Sequence, residues 1–168
     1  MRRGLQFACL ALWVAAAGAC NPPTKPSDPN GLAATLQAFS VVPPVIGAEA
    51  QSTGVATISL QLMRDSSGTI TSATATFQVT LTNLPSGTAI TQAHIHLGDL
   101  GVPGGILVDT GLIDGEVTVV NGNVTFTHQG IVIPNNVAQE LLASPITFYF
   151  TLHSVRNPEG IVRGQLSH

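Results

Sequence analysis

Thr69-Ile70-Thr71-Ser72-Ala73-Thr74-Ala75-Thr76-Phe77-Gln78-Val79-Thr80-Leu81 alternates more cleanly than any other stretch of this 168-residue chain. Successive side chains of an extended segment point to opposite faces. Ala73, Ala75, Phe77, Val79 and Leu81 therefore share one face, and Ser72, Thr74, Thr76, Gln78 and Thr80 the other. One apolar and one polar face is the mark of an antiparallel sheet packed on one side and wet on the other.

The same grammar extends outward in both directions. Upstream, Asp65-Ser66-Ser67-Gly68 forms a hairpin turn back to Gly54–Met63, where Ala56, Ile58, Leu60 and Leu62 oppose Val55, Thr57, Ser59 and Gln61. A first strand over Ala34–Val42 is stopped by Pro43-Pro44, which cannot donate to a ladder. Downstream, Asn83-Leu84-Pro85-Ser86-Gly87 turns the chain into a strand over Ala89–Leu97. A Gly/Pro-rich loop, Gly98–Gly105, leads to a short strand at Ile106–Val108. Gly115–Asn121 and Asn123–His128 then flank Asn121-Gly122-Asn123, a type I′ turn signal. Asn135–Ala143 is the one helical segment, ended by Pro145. Ile146–His153 is a strand with Ile146, Phe148, Phe150 and Leu152 inward, and Ile161–Leu166 closes the chain. The pattern predicts an all-β fold, a Greek-key antiparallel β-sandwich of about eight strands with one short helix.

Composition agrees. Charged residues make up 9% and hydrophobic residues 44%, with 17 Gly and 11 Pro, which suits short strands and tight turns. The basic patch that a nucleic-acid binder needs is missing. The N-terminus carries an address. Met1-Arg2-Arg3 is a positive start, Leu5–Ala17 is apolar apart from Gln6, and Ala17-Gly18-Ala19-Cys20 follows. The apolar run is shorter than the about 20 residues of a membrane span. Small residues directly before a cysteine resemble a bacterial lipobox, which implies a lipoprotein signal peptide over 1–19 and a lipidated Cys20. Residues 20–31, with four prolines between Asn21 and Gly31, form a semi-extended tether, and the domain spans 32–168. Loss of Arg2 and Arg3 leaves Lys25, Arg64, Arg156 and Arg163 against nine acidic residues. Membrane contact is then expected through the N-terminal lipid and not through charge. The expected location is the cell envelope, extracytoplasmic, on the outer membrane or periplasmic face if the host has two membranes. Cys9 falls in the leader and Cys20 carries the lipid, so the mature domain has no disulfide.

Two of the five histidines lie in Ala93-His94-Ile95-His96. On a strand they share a face with Cα atoms roughly 6.5–7 Å apart. His153 sits on the polar face of its own strand and can meet them. Two readings stand side by side. In one, His94, His96 and His153 form a Cu or Zn site, with Asp99 or His128 as helper. In the other, they form a hydrogen-bonded network with Arg163, which can pair with Glu159 or Asp99 and donate to backbone carbonyls.

Val42-Pro43-Pro44, Ala93-His94-Ile95-His96, the aromatic strand ending in His153, and Asn157-Pro158-Glu159-Gly160-Ile161-Val162-Arg163-Gly164-Gln165-Leu166 together resemble the CHRD (chordin) domain, from about Leu32 to Leu166. That family's pattern has Glu where Val41 stands and Glu where Ile161 stands, and the context of His153 also differs. The resemblance implies an extracytoplasmic β-domain, a non-enzymatic binding or envelope-structural module with an envelope or extracellular protein ligand. A fainter resemblance links His94-x-His96, Gly98-Asp99 and Arg163-Gly164 to copper/zinc superoxide dismutase. That family also needs a bridging histidine soon after the pair, and none lies between His96 and His128. What it implies here is at most a mononuclear copper or zinc protein. A Gly-x-Ser-x-Gly elbow is absent, so the sequence offers no hydrolase signature.

Overall fold

The structure, a computed structural model, describes residues 28–168. The leader, Cys20 and the tether as far as residue 27 lie outside the described residues. The strands are β1 (Gly31–Gln37), β2 (Thr53–Arg64), β3 (Ile70–Thr82), β4 (Ala89–Leu97), β5 (Ile106–Asp109), β6 (Val117–Thr118), β7 (Val124–Val132), β8 (Phe148–Ser154) and β9 (Val162–Gln165), with one helix, α1 (Asn135–Ala143). All strand pairs are antiparallel. The order across the sheet is β5-β4-β8-β9-β1-β2-β3-β7, with β6 beside β4. Neighbours such as β4 and β8, or β9 and β1, are far apart in sequence, as Greek-key connectivity requires.

The all-β architecture with one short helix is the expected one, realised as a single curled sheet of nine strands. Its two halves face each other across one core. Phe77 of β3 stacks on Phe150 of β8, with ring centroids 5.8 Å apart. Around them the inward residues Ile58, Leu81, Ile95 and Leu152 are almost fully buried. Val137, Ala138 and Leu141 of α1 are buried in the same cluster.

Three local expectations change. β1 ends at Gln37 and turns through a 3-10 segment, Ala38–Ser40, instead of running to Val42. Pairing with β2 stops at Gln37↔Thr53, and the prolines beyond cannot extend it. The turn at Asn121-Gly122 has positive φ at both residues, as type I′ demands, but its ladder is a single bridge, Val120↔Asn123. β6 pairs with β4, and β7 pairs along the length of β3. Ile146 lies in the 3-10 turn Pro145–Thr147 and is exposed, because β8 begins only at Phe148.

The halves differ in their outer faces. β2 and β3 alternate buried and open residues, as an amphipathic strand should. β8 is buried along its whole length, and β4 is buried continuously from Ala93 to His96. A second layer therefore covers the polar side of β4, β8 and β9. It consists of loops, and it contains the candidate site.

Candidate metal centre

Register alone assembles the polar face. His94 lies opposite Thr151, His96 opposite Tyr149, and Gln92 opposite His153. On the far side of β8, Thr151 faces Arg163 and Tyr149 faces Gln165. The five side chains His94, His96, His153, Tyr149 and Arg163 thus share one surface, and each is less than a tenth exposed.

Loops roof this surface and are tied down by it. Arg163 Nη2 donates to the carbonyls of Asp99 (2.7 Å) and Val102 (3.0 Å). Gln165 Nε2 donates to the carbonyls of Gly98 (2.6 Å) and Ile146 (2.8 Å). Gly104 N donates to the Tyr149 hydroxyl at 3.0 Å. Gly104 lies so close to the Leu97 carbonyl that a Cβ there would collide with it, so only glycine lets the loop close down on β4. The Arg163 guanidinium carbon stands 3.6 Å above the Tyr149 ring, a cation–π contact. Tyr149 in turn stacks nearly parallel to His96, with centroids 4.8 Å apart.

Hydrogen bonds to backbone carbonyls decide where the lone pairs of His96 and His153 point. A carbonyl can only accept, so His96 Nδ1 donates to Gly104 O (2.9 Å) and His153 Nδ1 donates to Pro158 O (2.8 Å). Both rings, when neutral, then carry a lone pair on Nε2. His153 Nε2 therefore accepts from His94 Nδ1–H, 3.2 Å away. His96 Nε2 is buried and has no hydrogen-bond partner among the described residues. The other nitrogen of His94, Nε2, lies 3.9 Å from Asp109 Oδ1. One ring nitrogen from each of the three histidines lies within 4.8 Å of the other two.

All three rings are held below the usual histidine range. Burial is the largest cause for each. For His94 the value falls to about 4, with the neighbouring His153 lowering it further and Asp109 opposing. Neutral imidazoles are what a divalent copper or zinc ion requires. His96 Nε2 and His153 Nε2 are ready as donors, and His94 Nδ1 would join them on moving its proton to Nε2, which faces Asp109. The remaining nitrogens then face Asp109, Gly104 O and Pro158 O. That outer arrangement fixes ring orientation and raises ligand basicity. The 3.2 Å between His94 and His153 is close to the ~3.3 Å edge of a tetrahedron with about 2.05 Å bonds.

Of the residues singled out from sequence, His94, His96, His153 and Arg163 meet here. Asp99 does not join as a carboxylate: its part in the site is the carbonyl that accepts from Arg163. Among the described residues Arg163 has no ion pair with Glu159 or Asp99, and its Nε is buried without a partner. His128 is excluded as helper, because its Nδ1 donates to Thr110 O (2.9 Å) and its Nε2 meets Glu116 Oε1 (3.1 Å).

Sequence reasoning missed Asp109, Tyr149 and Glu49. Glu49 is 1% exposed and accepts from Ser154 Oγ (2.7 Å), Thr88 Oγ1 (3.4 Å) and Asn157 Nδ2. It anchors the 154–158 turn whose Pro158 carbonyl holds His153. Nothing in Ala48-Glu49-Ala50 signals this, since its partners lie 39 to 108 residues away. Tyr149 had a sequence signal, being the aromatic position on the polar side of β8.

The profile of the CHRD domain family matches residues 32–166. The chain belongs to the CHRD domain family. No curated protein and no solved structure matches it. The match takes in the whole CHRD polar face, from His94 to Gln165. Val41, where the opening motif of CHRD domains carries Glu, lines the small cavity over His96 and Arg163.

Proposed function

We propose that this CHRD protein is a lipid-anchored, extracytoplasmic binding module and not an enzyme, and that its working part is a three-histidine centre for one Cu or Zn ion. The observation that carries the metal reading is His96 Nε2: a buried lone pair with no partner among the described residues, beside the hydrogen-bonded imidazoles of His94 and His153. A purely structural network satisfies its buried polar atoms. Here the leftover acceptor sits among three imidazoles, where a bound cation would satisfy it.

Metal analysis of the gently purified full chain tests the reading. One equivalent of copper or zinc is expected in the wild type, and none in a His94→Ala/His96→Ala double variant. A folded, metal-free wild type whose melting temperature ignores both ions refutes it and leaves the hydrogen-bonded network as the role of the histidines. The anchor rests on the lipobox-like Ala17-Gly18-Ala19-Cys20. Cys20→Ser should move the protein from the membrane fraction to the soluble fraction; unchanged fractionation rejects the anchor.

A further inference from the structure

A cavity of about 50 Å³ lies beside two of the three histidines, lined by His96, His153, Arg163, Glu159, Val41 and Val42 among others. It borders both residues whose buried nitrogens lack partners, His96 and Arg163. We propose that this cavity is the exchangeable coordination position of the metal centre and that it takes a small inorganic anion. The inference rests on the three-histidine metal reading.

Charge sets the sign of the ligand. Three neutral imidazoles leave a divalent ion with its full positive charge, and a three-histidine site keeps a fourth position open. Arg163 adds a permanent cation beside it, since a guanidinium stays protonated in proteins. It carries no carboxylate partner among the described residues, and its other hydrogen bonds go to carbonyls and to Gln165. The one acid on the cavity wall is Glu159, which is exposed and lies at the rim. Val41 and Val42 offer the anion no competing hydrogen bonds.

Volume sets the size. One water needs roughly 10–15 Å³ of such space, so the cavity admits a ligand of about three non-hydrogen atoms. Hydroxide, azide, cyanide or nitrite fit; a nucleotide, a sugar or a peptide carboxylate with its chain does not. Arg163 Nε–H is a donor with no acceptor among the described residues, and an anion on the metal supplies one.

The test uses the full chain loaded with Cu²⁺, with bound copper measured in the same sample, and azide as the probe. Azide should produce a saturable azide-to-copper charge-transfer band with one site per copper. Val41→Glu places a carboxylate beside Arg163, and should weaken azide by roughly tenfold or more while copper stays bound. Glu159→Gln changes only an exposed side chain and keeps the test alive if Val41→Glu fails to fold. It should tighten azide by roughly two- to fivefold at low salt. Bound copper with no azide band, or azide binding indifferent to both charge changes, overturns the anion site and leaves the metal centre standing. A wild type that binds no copper overturns both.

Discussion

Gln78 and His94 both belong to the polar outer face of one curled sheet, Gln78 on β3 and His94 on β4. Gln78 is exposed, while His94 is 3% exposed under a roof of loops. On the β2–β3 half, threonines, serines and glutamines meet water and need no other partner. On the β4–β8–β9 half, water has been replaced by the carbonyls of Asp99, Val102, Gly104 and Pro158. Removing polar groups from water is costly unless each finds a partner. Nearly every group on the roofed face has one. Among the described residues the two side-chain atoms that do not are His96 Nε2 and Arg163 Nε, and both residues line one small cavity. The contrast teaches that a site is marked here by incomplete compensation in a dry layer, and that polarity alone marks nothing.

The largest expected effect removes what the two halves share. Phe150→Ala leaves a cavity against Phe77 and should cost about 3–5 kcal/mol in urea unfolding. A loss below 1 kcal/mol would mean that the halves do not share a core. Next comes the clamp under the roofed half. Glu49→Gln turns an acceptor-only carboxylate against Asn157 Nδ2, and should cost about 1.5–3 kcal/mol. It should also weaken metal binding, because the Pro158 carbonyl that orients His153 depends on that turn. Unchanged affinity would confine Glu49 to stability.

A pH series separates the faces without mutation. His94, His96 and His153 are all depressed by burial, so the folded metal-free protein binds fewer protons than the unfolded chain. Their contribution to stability is complete above the unfolded histidine value of 6.5 and is lost as pH falls toward the His94 value of about 4. The urea midpoint should therefore drop across that window, and a His94→Phe/His96→Phe/His153→Phe variant should lose that drop. A flat midpoint in the wild type contradicts the buried, neutral assignment. The smallest effect belongs to the open face. Gln78→Ala should change stability by less than about 0.5 kcal/mol, with no change in metal binding.

What the sequence disclosed follows the same division. Period-two alternation made β2 and β3 legible, because one face of each strand repeats a simple chemical choice, and the Asn83–Gly87 turn marked the start of β4. The helix was legible from its composition and the following Pro145. The strand content of 115–121 was misjudged, since partner choice among strands is a tertiary matter and the type I′ turn fixes only two residues. In the site, His94, His96, His153 and Arg163 were visible as chemistry-bearing residues on polar faces. Their tautomers were not, because these depend on the carbonyls of Gly104 and Pro158, whose positions come from loops folded back over the sheet. Asp99 was a natural guess from its place beside the pair, and its backbone turned out to matter where its carboxylate does not. Glu49 had no local signature at all.

Three histidines on the roofed half are proposed to hold one metal ion. Anomalous diffraction at the zinc edge, from crystals of the protein grown with Zn²⁺, tests it most directly. A single strong peak about 2.0–2.1 Å from His94 Nδ1, His96 Nε2 and His153 Nε2 is the predicted result. An intact fold with no peak between those rings, or with zinc bound only at surface sites elsewhere, contradicts it.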